Sequence, residues 1–88
     1  MVKKELEVRN ELGLHARVAS KLSRCVQSYD CEVYAERNEK RYNLGSVLGV
    51  MTTGAKKGEA LQVIFEGADE EAAALAVEKL FAEKFGER

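Results

Sequence analysis

Apolar and polar residues alternate over several short segments of the chain, and this alternation predicts half-buried β-strands. In the first segment, Leu6 and Val8 lie on one side while Glu5 and Glu7 lie on the other. The last segment is the clearest, because Leu61 begins a run in which every second residue is a large apolar one. The predicted strands span 2–9, 31–35, 40–44 and 59–65.

Three other segments carry apolar residues at intervals of three or four, which is the spacing of one helix face. Ala19, Leu22 and Val26 show this spacing in the first of them. Ser46 and Asp69 stand where N-cap residues begin the other two, since both residue types favour that position. The predicted helices run over 16–27, from Ser46 to Gly54, and from Asp69 to Phe85.

The resulting order, β-α-β-β-α-β-α, predicts an α+β fold. We expect a four-stranded antiparallel sheet covered on one face by three helices, which is an open-faced β-sandwich. The 88 residues suffice for a single domain, 1–88, with one hydrophobic core. A core of this size leaves little room for a deep substrate cleft, so a functional site is expected at the surface or at the end of an element.

Charge and composition narrow the possible functions. The 14 basic and 15 acidic residues give a formal net charge of −1, which offers no electrostatic reason to expect nucleic acid as a partner. No segment reaches the ~18 apolar residues of a membrane span, and the first residues are charged rather than apolar. We therefore expect a cytoplasmic protein without membrane insertion.

The two cysteines, Cys25 and Cys31, match no zinc-binding spacing, and a single histidine cannot complete such a site. No metal and no cofactor are expected. Partly buried free thiols in a reducing compartment are the preferred interpretation, with a disulfide between the two cysteines as the alternative.

The candidate chemistry lies at His15, the only histidine, just before the first predicted helix. The N–H groups at a helix start are unpaired and the dipole is positive there, so this is a natural anion site. Arg17 adds a guanidinium that can bind phosphate through paired N–H groups, and Gly13 allows close backbone approach. The unprotonated imidazole nitrogen is itself a nucleophile. By local chemistry alone, however, such a histidine is more often a solvated or capping residue.

Two motifs favour the reactive interpretation. The segment Gly13-Leu14-His15-Ala16-Arg17 resembles the active-site signature of HPr, the histidine-containing phosphocarrier family of the bacterial phosphoenolpyruvate-dependent sugar phosphotransferase system. Residues 43–51 and 54–58 resemble the family's second signature, and 66–70 its entry to the last helix. The resemblance implies a phosphoryl carrier rather than a stand-alone enzyme. His15 would accept the group from Enzyme I and donate it to a sugar-specific Enzyme IIA.

The resemblance also implies further site residues and a monomeric state. Arg17 would steady the phosphoryl group. The implied partner-docking residues are Ser20, Arg24, Val47, Leu48 and Met51. A helix of about two turns cannot bury Val47, Leu48, Val50 and Met51 on one stripe, so at least one of these four is expected to be exposed.

Ser46 has two compatible interpretations, a helix N-cap and, by resemblance, a site of regulatory phosphorylation by an HPr kinase/phosphorylase. The chain departs from the family pattern at two positions. Val18 stands where the family normally has proline, so Arg17 is freer to adopt a helical backbone. Gly45 stands where members regulated at the serine often have a basic residue, which weakens the case for regulation at Ser46.

Two other functions would use the same residues. The alternative is a regulatory HPr-like protein that signals through phosphorylation of His15 or Ser46 without sugar transport. A hydrolase that uses the same two residues is disfavoured, because no acidic residue is evidently placed to orient His15.

Overall fold

A computed structural model describes residues 1–87 of the chain. In chain order, its elements are β1 (Val2–Glu7), α1 (Ala16–Gln27), β2 (Glu32–Arg37), β3 (Lys40–Asn43), α2 (Val47–Thr52), β4 (Ala60–Glu66), α3 (Glu70–Ala82) and a short 3-10 turn at Lys84–Gly86. The predicted order of strands and helices is confirmed, and most boundaries lie within two residues of the expected ones.

The four strands form one antiparallel sheet in the order β1-β4-β2-β3. Leu6 of β1 lies opposite Leu61 of β4, and Val33 of β2 lies opposite Phe65 of β4. Because directly opposite residues point to the same side of a sheet, these apolar positions form one continuous face. The three helices contribute the other half of the core, so the open-faced sandwich is confirmed.

Asp69 is the N-cap residue of α3, as predicted, but its side chain makes no capping hydrogen bond to the helix. Its Oδ2 instead accepts a hydrogen bond from the Asp30 N–H at 2.7 Å. The reason is that the turn at Gly67, just before α3, packs directly on the backbone before β2, so that a Cβ atom on Gly67 would lie 2.6 Å from Cys31 Cα. This approach brings the Asp30 N–H within reach of the Asp69 carboxylate. The Asp69 carboxylate therefore fastens the start of α3 to the loop before β2.

The predicted end of α3 at about Phe85 is too late, since the helix ends at Ala82. Lys84 and Phe85 have φ angles of 57° and 55°, in the left-handed region, so the chain turns back on itself. This turn buries Phe85 against the fold, and Lys21 Nζ donates to the Phe85 carbonyl at 2.8 Å. We call residues 83–87 the C-terminal strap.

Cys25 and Cys31 are free thiols, each partly buried, rather than a disulfide. Burial raises the pKa of the Cys25 thiol. Within residues 1–87, no helix is both long enough and apolar enough to cross a membrane. The same part of the chain contains no group of three His, Cys, Asp or Glu side chains that could hold a metal ion.

Candidate functional site

The loop that leads into α1 is held in place from two sides. The buried Asn10 side chain donates from Nδ2 to the Gly13 carbonyl at 2.6 Å. Gly13 has a φ of +66°, and a Cβ atom there would lie 2.7 Å from the Ala55 carbonyl oxygen. The next residue, Leu14, donates its N–H to that same oxygen at 3.3 Å. The close approach expected of Gly13 is thus present, and it sets where α1 begins.

His15 is the N-cap of α1. Its Nδ1 accepts the Arg17 N–H at 3.3 Å, and its carbonyl accepts the Ala19 N–H at 2.8 Å. The capping role that local chemistry favours is therefore confirmed. It is compatible with a reactive role, because the cap directs Nδ1 toward the positive end of the helix. Arg17 lies inside α1, as expected from the absence of proline at 18.

A carboxylate that sequence analysis did not identify completes the site. Glu87 Oε1 lies 3.1 Å from His15 Nε2. The two oxygens of Glu87 also accept hydrogen bonds from Arg17 Nε and Nη2, each at 2.9 Å. The expectation that no acidic residue orients His15 is therefore wrong.

The sequence carried no signal for this contact. Glu87 is 72 residues from His15 along the chain. The apolar pattern predicts that α3 continues to Phe85, and only the left-handed backbone at Lys84 and Phe85 turns the strap back toward α1. Such a turn at residues other than glycine is uncommon, so periodicity cannot reveal it.

The hydrogen bond from Arg17 lowers the pKa of the Glu87 carboxyl to about 2, an effect that partial burial opposes and the hydrogen bond from His15 increases. The same pairing raises the pKa of Arg17. Glu87 is thus ionised at neutral pH, and an ionised carboxylate only accepts hydrogen bonds. In the neutral ring, the hydrogen bond to Glu87 therefore places the proton on Nε2 of His15 and the lone pair on Nδ1.

The second helix shows how the predicted apolar docking residues are placed. Val50 is buried, whereas Val47, Leu48 and Met51 are exposed by 40%, 71% and 43%. The expectation that at least one of the four is exposed is confirmed. Leu12, which is 71% exposed in the loop before His15, is a further exposed apolar residue that sequence analysis did not name.

The first helix presents the polar candidates. Ser20 is half-buried and Arg24 is exposed. Both line an open groove along α1, together with Arg17 and Lys21. The groove thus joins two of the predicted docking residues to the arginine that pairs with Glu87.

Ser46 is the N-cap of α2, since its Oγ accepts the Gly49 N–H at 3.1 Å. The capping interpretation is therefore confirmed. Gly49 has no room for a side chain, because its backbone packs directly on Asn43 at the end of β3. Ser46 itself is half-buried beside the exposed Val47 and Leu48.

Comparison with known proteins gives the same assignment for the whole chain. Residues 2–83 match the family model described as "PTS HPr component phosphorylation site". The phosphocarrier protein HPr of Neisseria meningitidis serogroup A is 37% identical over 87 residues, which cover 99% of this chain and 98% of that protein. The crystal structure of HPr-C-His from Thermoanaerobacter tengcongensis, 33% identical, has a TM-score of 0.94 and covers 100% of this chain and 99% of that chain. A structure described as an HPr dimer from the same organism, also 33% identical, has a TM-score of 0.78, with 99% and 100% covered. The chain therefore belongs to the HPr phosphocarrier family of the phosphotransferase system.

Proposed function

We propose that this protein carries phosphoryl groups in a sugar phosphotransfer chain, accepting them on His15 from Enzyme I and passing them to a sugar-specific Enzyme IIA. The observation that carries the proposal is the position of His15 Nδ1, which holds a lone pair at the N-terminus of α1. The Arg17 guanidinium is held beside the same ring through Glu87.

The transfer needs no separate base, because Nδ1 is already unprotonated. Its lone pair attacks phosphorus, and the bond from phosphorus to the donor breaks with its electron pair leaving on the donor. Positive charge then develops on the ring, whose proton stays on Nε2. In the onward step the acceptor attacks phosphorus, the N–P bond breaks, and its electron pair returns to Nδ1.

The helix start and Arg17 can both bind the phosphoryl oxygens. The Arg17 N–H that now donates to Nδ1 becomes available once phosphorus is bonded to that nitrogen. Backbone N–H groups at a helix N-terminus stabilise such an anion. The Arg17 guanidinium has five N–H donors, of which Glu87 uses two, so three remain for a phosphoryl oxygen.

The partners are proposed to dock on the exposed apolar residues of α2 and on the groove along α1. The proposed docking face consists of Ser20 and Arg24 on α1, which line the groove, and of the exposed Val47, Leu48 and Met51 on α2. A monomer in the cytoplasm fits this role, since the docking face must be free for two partners in turn. Ser46 adjoins the face, which makes it the candidate for modification by an HPr kinase/phosphorylase.

The test is incubation with Enzyme I, phosphoenolpyruvate and a sugar-specific Enzyme IIA. We expect acid-labile phosphate on the wild-type protein, followed by its transfer to Enzyme IIA, and none of either with His15→Ala. Ser46→Ala is the matched control, because it removes the serine and keeps the histidine. Acid-labile phosphate on His15→Ala would refute the assignment. Phosphorylation of His15 without onward transfer would instead support the regulatory alternative.

A further inference from the structure

The strap places a carboxylate against the ring edge opposite the nucleophilic nitrogen. Glu87 Oε1 lies 3.1 Å from Nε2, while Nδ1 faces the start of α1. Because the two nitrogens lie on different edges of the ring, a phosphoryl group on Nδ1 does not need the space that Glu87 occupies. The carboxylate can therefore keep its hydrogen bond during the transfer.

The position of Glu87 is set by contacts that do not involve His15. Phe85 is buried, with its ring centroid 4.9 Å from that of Phe81. Lys21 Nζ holds the Phe85 carbonyl at 2.8 Å. A group whose supporting residues are packed independently of the reaction is preorganised for it.

We infer that Glu87 is a positioning residue for phosphoryl transfer: its carboxylate holds the proton on Nε2, which leaves Nδ1 as the nucleophile and stabilises the cationic ring that forms when phosphorus bonds to Nδ1. This inference rests on the proposed function. In serine proteases, a buried carboxylate sets the tautomer of the catalytic histidine and stabilises its cationic form. We assign the same two effects to Glu87.

The surrounding charges make a negative group useful at this place. Arg17 and Lys21 on α1 are cationic, and both are held against residues of the strap, Arg17 by the Glu87 carboxylate and Lys21 by the Phe85 carbonyl. These charges and the helix dipole favour an incoming phosphoryl anion and disfavour a positive charge on the ring. The Glu87 carboxylate at Nε2 stabilises the positive charge on the ring, and it does so without occupying the phosphoryl position at Nδ1.

The test compares Glu87→Gln with Glu83→Gln. Both variants remove one negative charge from the strap, but the exposed Glu83 makes no side-chain hydrogen bond or ion pair within residues 1–87. With Enzyme I and phosphoenolpyruvate, we expect Glu87→Gln to lower kcat about 5-fold at unchanged KM, because a partly exposed ion pair is worth little. Glu83→Gln should match the wild type in both constants.

Two further readouts separate positioning from a merely structural role. Hydrolysis of the phosphohistidine is fast when Nε2 is protonated, so its fast range should move to lower pH in Glu87→Gln and stay in place in Glu83→Gln. In the unphosphorylated protein, ¹⁵N NMR should show a larger fraction of the Nδ1–H tautomer in Glu87→Gln.

The outcomes distinguish this inference from the proposed function. A wild-type protein that takes no phosphate from Enzyme I contradicts the proposed function, and the NMR measurement still tests Glu87. A Glu87→Gln variant with the rates, hydrolysis profile and tautomer of Glu83→Gln overturns the inference. Faster transfer in Glu87→Gln also overturns it, since Glu87 would then compete with the phosphoryl group for Arg17.

Discussion

The ring of Phe85 packs edge-on against the ring of Phe81, with centroids 4.9 Å apart and an angle of 60° between their planes. This contact joins the strap to the last turn of α3. It requires a left-handed backbone at Lys84 and Phe85, which costs conformational energy that the burial of the ring offsets. The contact between His15 and Glu87 therefore depends on an aromatic contact between Phe81 and Phe85, far from His15 in sequence.

Phe85→Ala should lower the free energy of unfolding by about 3 kcal/mol, because it removes a buried aromatic ring. Urea denaturation would measure this loss. The same change releases Glu87 from its position, so adding Glu87→Gln to Phe85→Ala should have no further effect on phosphoryl transfer. Phe85→Leu, which keeps an apolar side chain, should lose less stability. An undiminished effect of Glu87→Gln in the Phe85→Ala protein would show that the strap does not hold the carboxylate.

The ion pair with Arg17 predicts an acid dependence of stability. The pKa of Glu87 is lowered from about 4.5 to about 2, so the unfolded chain binds this proton at higher pH than the folded one. The stabilisation is complete above pH ~4.5 and is lost as the pH falls toward 2. Glu59 and Glu70 also have lowered pKa values, so every variant weakens in acid. Between pH ~4.5 and ~2, the wild type should therefore lose more stability than Glu87→Gln. Melting temperatures measured against pH would test this, and equal losses in the two proteins would contradict the prediction.

Arg17→Ala should slow phosphoryl transfer while leaving the fold intact. The guanidinium is 70% exposed, so little packing is lost. One charge-assisted contact to the phosphoryl group is at stake, which corresponds to about 10- to 100-fold in rate, from ~1.5–3 kcal/mol. Initial rates and thermal melts would test this. Arg41→Ala is the control, because Arg41 stacks over Tyr34 on the sheet and the variant also removes one arginine. A wild-type transfer rate would remove Arg17 from the site.

Ser46→Asp should weaken docking to Enzyme I without unfolding the protein. Aspartate also serves as an N-cap, and a negative charge at a helix start stabilises it by roughly 0.3–1 kcal/mol. The same charge lies beside the exposed Val47 and Leu48 and disfavours an apolar or acidic partner surface. Calorimetric binding and thermal melts would test both effects, with Ser46→Asn as the cap without charge. Equal affinity for the two variants would leave Ser46 as a structural cap.

Val18→Pro should stabilise the protein by about 0.4–1 kcal/mol and raise the transfer rate. The first helical hydrogen bond of α1 runs from the Ala19 N–H to the His15 carbonyl, so the helical hydrogen-bond pattern does not require the Val18 N–H. Proline would restrict Arg17 and thereby hold the site before phosphate arrives. Denaturant melts and initial rates would measure both. Arg17 lies inside α1, and proline disfavours a helical conformation of the residue before it. A loss of stability would therefore show that the strain on the Arg17 backbone outweighs the gain from the more rigid proline.

Local patterns explain why most of the fold was predictable. The alternation around Leu6 and Leu61 arises from the two-residue repeat of a strand, and the spacing of Ala19 and Leu22 from the turn of a helix. These repeats depend only on neighbouring residues, so they can be read along the chain. The cap at Ser46 and the position of His15 at a helix start follow from the same kind of local rule.

Asp69 shows the limit of such rules. Its residue type and position favour a side-chain cap of α3, yet its carboxylate binds the Asp30 N–H instead. The choice depends on the approach of Gly67 to Cys31, two segments that are far apart in sequence. A local preference of about 1 kcal/mol is easily overridden by such a contact.

The sequence by itself determined the order of the elements, the face of each that enters the core, and the candidacy of His15 and Arg17, because these depend on spacing and on residue chemistry. Only the tertiary structure decided which residues of α2 are exposed and that Glu87 meets His15. That meeting depends on how the chain turns after Ala82, and the turn is stabilised by Phe81 and Lys21 rather than by any preference of the residues that form it.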